Sequence, residues 1–111
     1  PVSDGQNRRI EHRVAAADAN PYLVLAAVLA GIHKGLIEKT DPGKPTVANA
    51  CAEIDLEMPL DWNNAIERTR SSQTLKQYLT EEVVELYCET KRGEMQSFCQ
   101  TISPKEYSWY L

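Results

Sequence analysis

Three ionisable residues with alternate spacing stand near the start of the chain: Arg9, Glu11 and Arg13. In an extended segment side chains alternate between two faces, so these three would share one face and Ile10 and Val14 the other. A carboxylate between two guanidinium groups is commonly a structural ion-pair ladder. The same residue types also suit phosphoryl transfer, because a carboxylate provides a hard oxygen ligand for Mg²⁺ or Mn²⁺ and arginines neutralise phosphate oxygens. The spacing alone does not decide between these two readings.

An apolar helix is predicted directly after this segment. Asn20 is a good N-cap and Pro21 suits the first helical position. Residues 22–37 are apolar around almost the whole circumference, so we expect the helix to be covered on most sides. The continuous apolar run, residues 22–32, is shorter than the roughly 20 residues that cross a membrane. We therefore expect a buried helix and no membrane partner.

The remaining sequence predicts mostly helix. Residues 44–60 have no clear period and are interpreted as an ordered loop. Asp61 is expected to cap a helix over residues 62–70, followed by a helical turn at 75–79 and a long helix that opens at 80–82 and ends near 102. The aromatic residues Trp62, Tyr107, Trp109 and Tyr110 are interpreted as packing or subunit contacts. One N-terminal strand with mainly α-helices predicts the α+β class, and the missing sheet partners of that strand indicate a fragment.

Composition excludes some functional classes and gives a compartment. The chain has 16 acidic and 12 basic residues and a net charge of -4, which argues against a nucleic-acid partner because phosphate binding needs a basic surface. Three cysteines without metal-type spacing are expected to be small buried residues in a reducing compartment. The first residue is Pro1 and no signal segment follows it, so we interpret this start as a boundary within a longer protein.

Two motifs carry a resemblance to a known family. Residues 8–13 read Arg-Arg-Ile-Glu-His-Arg, and residues 17–23 read Ala-Asp-Ala-Asn-Pro-Tyr-Leu before the Ala-rich helix. This order resembles the C-terminal signature of glutamine synthetases, over nearly the whole chain but only about the last quarter of such an enzyme. The first motif is specific, whereas the helical part alone is weak. With His12, and without a proline soon after Arg13, the sequence looks closest to the gamma-glutamylpolyamine synthetase branch.

The resemblance implies a role for each residue of the first motif. The chain would be a fragment of the glutamine synthetase catalytic domain, with residues 1–17 as active-site strand and turn and residues 18–111 as helical scaffold. Glu11 matches the metal-binding glutamate. Arg13 matches the catalytic arginine that holds the substrate carboxylate and then the transferred phosphoryl group. Arg9 matches the arginine that contacts the ATP phosphates. By alternation His12 points away from the ionic face, so we expect a packed or hydrogen-bonded core histidine and not a catalytic one.

The resemblance also implies a reaction. ATP would phosphorylate the side chain of glutamate, and ammonia or an amine would displace phosphate to form an amide, with ATP and Mg²⁺ or Mn²⁺ required. The parent protein is expected to be a cytoplasmic, ring-shaped homo-oligomer, and the fragment alone is expected to be inactive. Two alternatives stay open: a helical interaction or scaffold module without ligands, and a family member that has lost catalysis.

Overall fold

The regular structure of the chain is helical in the computed structural model, which describes residues 5–52, 55 and 57–110. Short 3₁₀ turns lie at Gly5–Asn7 and Ala50–Ala52. The α-helices are α1 (Pro21–Glu38), α2 (Trp62–Ser71), α3 (Gln73–Leu79), α4 (Glu81–Cys99) and α5 (Pro104–Tyr110).

The predicted α+β class is wrong for the described part of the chain, which contains no strand. Residues 8–14, where the strand was expected, have neither helical nor strand structure. The physical reason is that a strand needs the backbone N–H and C=O groups of a neighbouring strand, and the described residues offer none. Residues 1–4 of the predicted active-site strand and turn lie outside the described residues.

Helix α1 begins and ends close to where the sequence predicts. The Asn20 side chain accepts hydrogen bonds from the backbone N–H groups of Tyr22 at 3.0 Å and Leu23 at 3.3 Å, and Pro21 follows as the first helical residue. At the other end Lys39 adopts the left-handed conformation with φ 53°, and its N–H donates to the Gly35 carbonyl.

The expected burial of α1 is not found in this chain. Ala30 is its one buried residue, whereas Leu36 is 72% exposed and Ile37 69%. By length and composition alone α1 could cross a membrane, but such a helix is weak evidence because core helices of soluble proteins share both properties. An apolar helix with this exposure lacks a covering partner in the described residues.

Helices α2, α3 and α4 form the packed part of the chain. Asp61 caps α2 by accepting from the Asn64 N–H at 2.8 Å, and Ser72 caps α3 by accepting from the Leu75 N–H at 3.3 Å. The core cluster consists of Ile66 from α2 with Val84 and Cys88 from α4. Further apolar side chains pack against it: Leu75, Leu79 and Met95. Cys88 is buried as expected, but Cys99 is exposed, and nothing is described for the Cys51 side chain.

Ion pairs join α2 to α4 around this core. Arg70 contacts Glu89 directly and places its Nε 3.4 Å from a Glu85 carboxylate oxygen. Arg92 on α4 reaches back to Glu67 on α2. The hydrogen bond from Arg70 lowers the pKa of Glu89, and the same bond raises the pKa of Arg70. These contacts favour one register of α4 on α2.

Helix α5 was not predicted as a helix. Its start is a capping box, in which the Glu106 N–H donates to Ser103 Oγ at 3.3 Å and the Ser103 N–H donates to Glu106 Oε1 at 2.7 Å. Hydrogen bonds to the Glu106 carboxylate from the backbone N–H and the side chain of Ser103 lower the pKa of Glu106. The Ser-x-x-Glu spacing is visible in the sequence and would have placed this helix. Its aromatic residues are mostly exposed: Tyr107, Trp109 and Tyr110.

The N-terminal part touches the bundle through α3. His33 Nδ1 lies 2.5 Å from the Tyr78 hydroxyl, and the two rings meet edge to face. The chain as a whole is open: its radius of gyration is 17.7 Å, against about 13 Å for a compact domain of this length. Its accessible surface is 9904 Å², whereas about 6,200 Å² is typical of a compact monomer of this mass.

Candidate functional site

The structure brings two of the three predicted site residues together. The Arg13 guanidinium donates directly to the Glu11 carboxylate, two residues earlier in the segment before α1. Both side chains face solvent, at 83% exposure for Arg13 and 39% for Glu11. The contact spans two residues within a segment that has no strand structure.

Arg9 takes a different partner. One of its guanidinium nitrogens lies 3.5 Å from the carbonyl oxygen of Asn7, which is a long hydrogen bond within its own segment. The three residues therefore form one ion pair and one neighbouring cation. They do not form the continuous ladder that a structural reading of the motif would require.

A short turn connects this segment to α1. The Ala19 N–H donates to the Ala16 carbonyl at 3.1 Å, and Asn20 then caps the helix. Ile10 and His12 line an open groove together with Leu25 and Leu29 of α1. His12 is exposed, so its expected place in a core is wrong; without a second strand the segment has no interior face.

The donor set at Glu11 fits one ligand of a metal site and not a whole one. Its carboxylate oxygens are the hard donors that Mg²⁺ and Mn²⁺ prefer. In the part of the chain that the structure describes, no three His, Cys, Asp or Glu side chains come together as metal ligands. Mg²⁺ is commonly held by one or two carboxylates with waters and substrate phosphates, so a single contributing glutamate is chemically reasonable.

An apolar cavity of about 400 Å³ separates the start of α1 from α4, and none of the predicted site residues lines it. Leu23 and Val24 form one wall, and Val84 and Tyr87 lie opposite. Lys91 lies at the polar edge, where its hydrogen bond to Glu94, at 2.6 Å, raises the pKa of the lysine. This lysine was visible in the sequence as an interruption of the apolar stripe of α4. The cavity offers no arrangement for phosphoryl transfer.

Comparison with known proteins defines the class. The family described as "Glutamine synthetase, catalytic domain" matches residues 1–110. That range contains both the Glu11–Arg13 segment and all five α-helices. The chain belongs to this family, as the motif at residues 8–13 predicts.

Several curated proteins are similar to this chain over its whole length or nearly so. The chain is 35% identical over 111 residues to gamma-glutamylputrescine synthetase PuuA of Escherichia coli (strain K12), covering 100% of this chain and 24% of the relative. It is 33% identical over 119 residues to glutamine synthetase of Methanosarcina mazei, covering 100% of this chain and 27% of that protein. A glutamate–isopropylamine ligase of Pseudomonas sp is 31% identical over 114 residues, covering 99% and 25%. The chain thus spans about a quarter of these curated relatives. No solved structure matches it.

Proposed function

We propose that this chain is the C-terminal part of a catalytic domain that joins glutamate to ammonia or an amine with ATP and Mg²⁺ or Mn²⁺. The observation that carries the proposal is the exposed Glu11–Arg13 pair within a segment that the family match covers. The relatives are named as ligases of glutamate or as glutamine synthetases, which supports amide formation as the reaction class. In this proposal the chain contributes one wall of the site and is inactive alone.

Each residue of the segment has a chemical task in this proposal. Glu11 provides one oxygen ligand to a divalent cation, which would supply charge neutralisation to the phosphates of ATP. Arg13 holds the carboxylate of glutamate and then the transferred phosphoryl oxygens, where a planar guanidinium makes paired hydrogen bonds. Arg9 neutralises the ATP phosphates. Fixed cations suit this step because negative charge accumulates on the transferred group.

The surface of the chain supports its place in a larger domain. Helix α1 exposes Leu25, Leu29 and Leu36 by more than half of their area. The accessible surface of 9904 Å² exceeds that of a compact monomer of this mass by more than half. We propose that upstream residues of the same domain cover α1 and complete the metal site. A cytoplasmic location and a ring-shaped homo-oligomer belong to the same proposal.

One observation also agrees with the alternative of a helical interaction module. Such a module needs no ligands and leaves Arg9, Glu11 and Arg13 exposed, as they are in the described residues. A thermal melt of the full-length protein with and without Mg-ATP separates the two functions. The melting temperature of a ligase rises by several degrees at saturating Mg-ATP. The melting temperature of an interaction module, or of a family member that no longer binds ligands, is the same with and without Mg-ATP.

The direct test is a carboxylate deletion at Glu11 with a matched control. In the full-length protein Glu11→Ala should abolish glutamate-dependent phosphate release from ATP, measured with ammonia, putrescine and isopropylamine as acceptors, and leave the oligomer intact. Glu38→Ala removes an exposed carboxylate paired with Lys34 at the far end of α1 and should leave the activity unchanged. Turnover of Glu11→Ala at the wild-type rate would overturn the proposal.

A further inference from the structure

The Glu11–Arg13 ion pair joins two groups to which the proposed function assigns opposite ligands. Glu11 would bind a cation, and Arg13 would bind an anionic substrate, yet here the guanidinium donates to the carboxylate. Resting on that function, we infer that this ion pair competes with both ligands. When one ligand breaks the ion pair, the other residue is free to bind its own ligand. The metal and the anion therefore bind with positive coupling.

The competition follows from charge and from donor geometry. While the Arg13 guanidinium contacts the Glu11 carboxylate, it neutralises the negative charge that would attract a divalent cation and repels that cation itself. The same N–H groups are occupied and are unavailable to the carboxylate or phosphoryl oxygens of a substrate. A cation on Glu11 releases the guanidinium, which then binds the anion without first breaking a contact.

Exposure sets the size of the effect. Arg13 is 83% and Glu11 39% exposed, so solvent and salt weaken their attraction. An exposed ion pair of this kind lowers the fraction of binding-competent Glu11 by a few-fold, and the apparent dissociation constant for the metal rises by the same factor, about two- to five-fold. Linkage requires that the metal tighten anion binding by the factor by which the anion tightens metal binding.

The chain offers a matched pair of variants for the test. Arg13 and Arg9 stand two residues after and two residues before Glu11, and only Arg13 contacts its carboxylate among the described residues. Each change to Gln removes one positive charge from the same short segment. Mn²⁺ binding to the full-length protein, followed by the electron paramagnetic resonance signal of free Mn²⁺ without nucleotide or glutamate, should be about two- to five-fold tighter in Arg13→Gln than in wild type. Arg9→Gln should change it less than two-fold.

Three other results would overturn the inference, each in a different way. Equal tightening in Arg9→Gln and Arg13→Gln would assign the effect to general charge and not to the ion pair. Weaker Mn²⁺ binding in Arg13→Gln would show that the arginine supports the metal site. The number of bound Mn²⁺ ions should fall by one in Glu11→Gln; an unchanged number would remove Glu11 from the metal site and contradict the proposed function as well. Far-UV circular dichroism of each variant checks that the fold is retained.

Discussion

Helices α1 and α4 have nearly the same length, 18 and 19 residues, but very different surroundings. Helix α4 has an apolar face on which Val84 and Cys88 are buried against α2, and charged residues elsewhere. Helix α1 is apolar on all sides and buries only Ala30. The apolar face of α4 is covered by α2 and α3, whereas the described residues leave most of the apolar surface of α1 exposed.

The largest expected difference between the two regions comes from one substitution made in each. Ile66→Ala removes a buried side chain from the α2–α4 core and should cost about 2–5 kcal/mol of unfolding free energy in the 111-residue chain. Ile37→Ala removes the same atoms from an exposed position of α1 and should change the free energy of unfolding by less than about 0.5 kcal/mol. Urea denaturation measures both.

The same pair of variants sharpens the comparison in the full-length protein. If upstream residues cover α1, Ile37→Ala should there cost about 1 kcal/mol or more, because the side chain is then removed from a packed surface. An equally small effect in both proteins would mean that this face of α1 stays in water.

The contact between α1 and the α2–α4 bundle is expected to contribute less to stability than the buried core does. Tyr78→Phe removes the hydroxyl that meets His33 and should cost about 0.5–1.5 kcal/mol. The substitution should weaken the packing of α1 on α3 and leave the α2–α4 core intact. Amide hydrogen exchange should therefore speed up in α1 and stay unchanged in α2 and α4. Uniform acceleration across all helices would contradict a separate α1 region.

The smallest effect concerns the charges on α4. The hydrogen bond from Arg70 lowers the pKa of Glu89 in the folded chain. This carboxylate therefore stabilises the fold above its unfolded pKa, and the contribution is lost as the pH falls through the lower, folded value. Between pH 7 and pH 3 the urea midpoint should fall less in Glu89→Gln than in wild type. It should still fall, because the pKa values of Glu82 and Glu106 are also lowered in the folded state. An equal fall of the urea midpoint in both proteins would show that Glu89 does not contribute to the pH dependence of stability.

Local signals in the sequence predicted the helices well. Asn20-Pro21 and Asp61 each supply a predicted cap whose partners lie within four residues, and such contacts do not depend on the rest of the protein. Ser72, which caps α3, was not predicted as a cap. The capping box at Ser103 and Glu106 is equally local. Helix α5 was not predicted, because the aromatic residues of this segment were interpreted only as packing or subunit contacts.

Nonlocal structure could not be predicted in the same way. The alternation over residues 8–14 predicted a strand that the structure does not show, because a strand requires a neighbour at hydrogen-bonding distance; Glu11 and Arg13 nevertheless meet. The expected burial of α1 and of His12 is likewise not found, because the described residues leave both largely exposed. The proposed metal-ligand role of Glu11 rests on its place in the family motif at residues 8–13.

The most direct test of the central claim is the position of a metal ion. Crystals of the full-length protein grown with Mn²⁺ and ADP should give an anomalous scattering peak at coordination distance from a Glu11 carboxylate oxygen, about 2.0–2.5 Å. Ligands from upstream residues should complete the site, and Arg13 should have left the carboxylate. Mn²⁺ bound elsewhere, with Glu11 still paired only to Arg13, would contradict the assignment of this segment to a ligase active site.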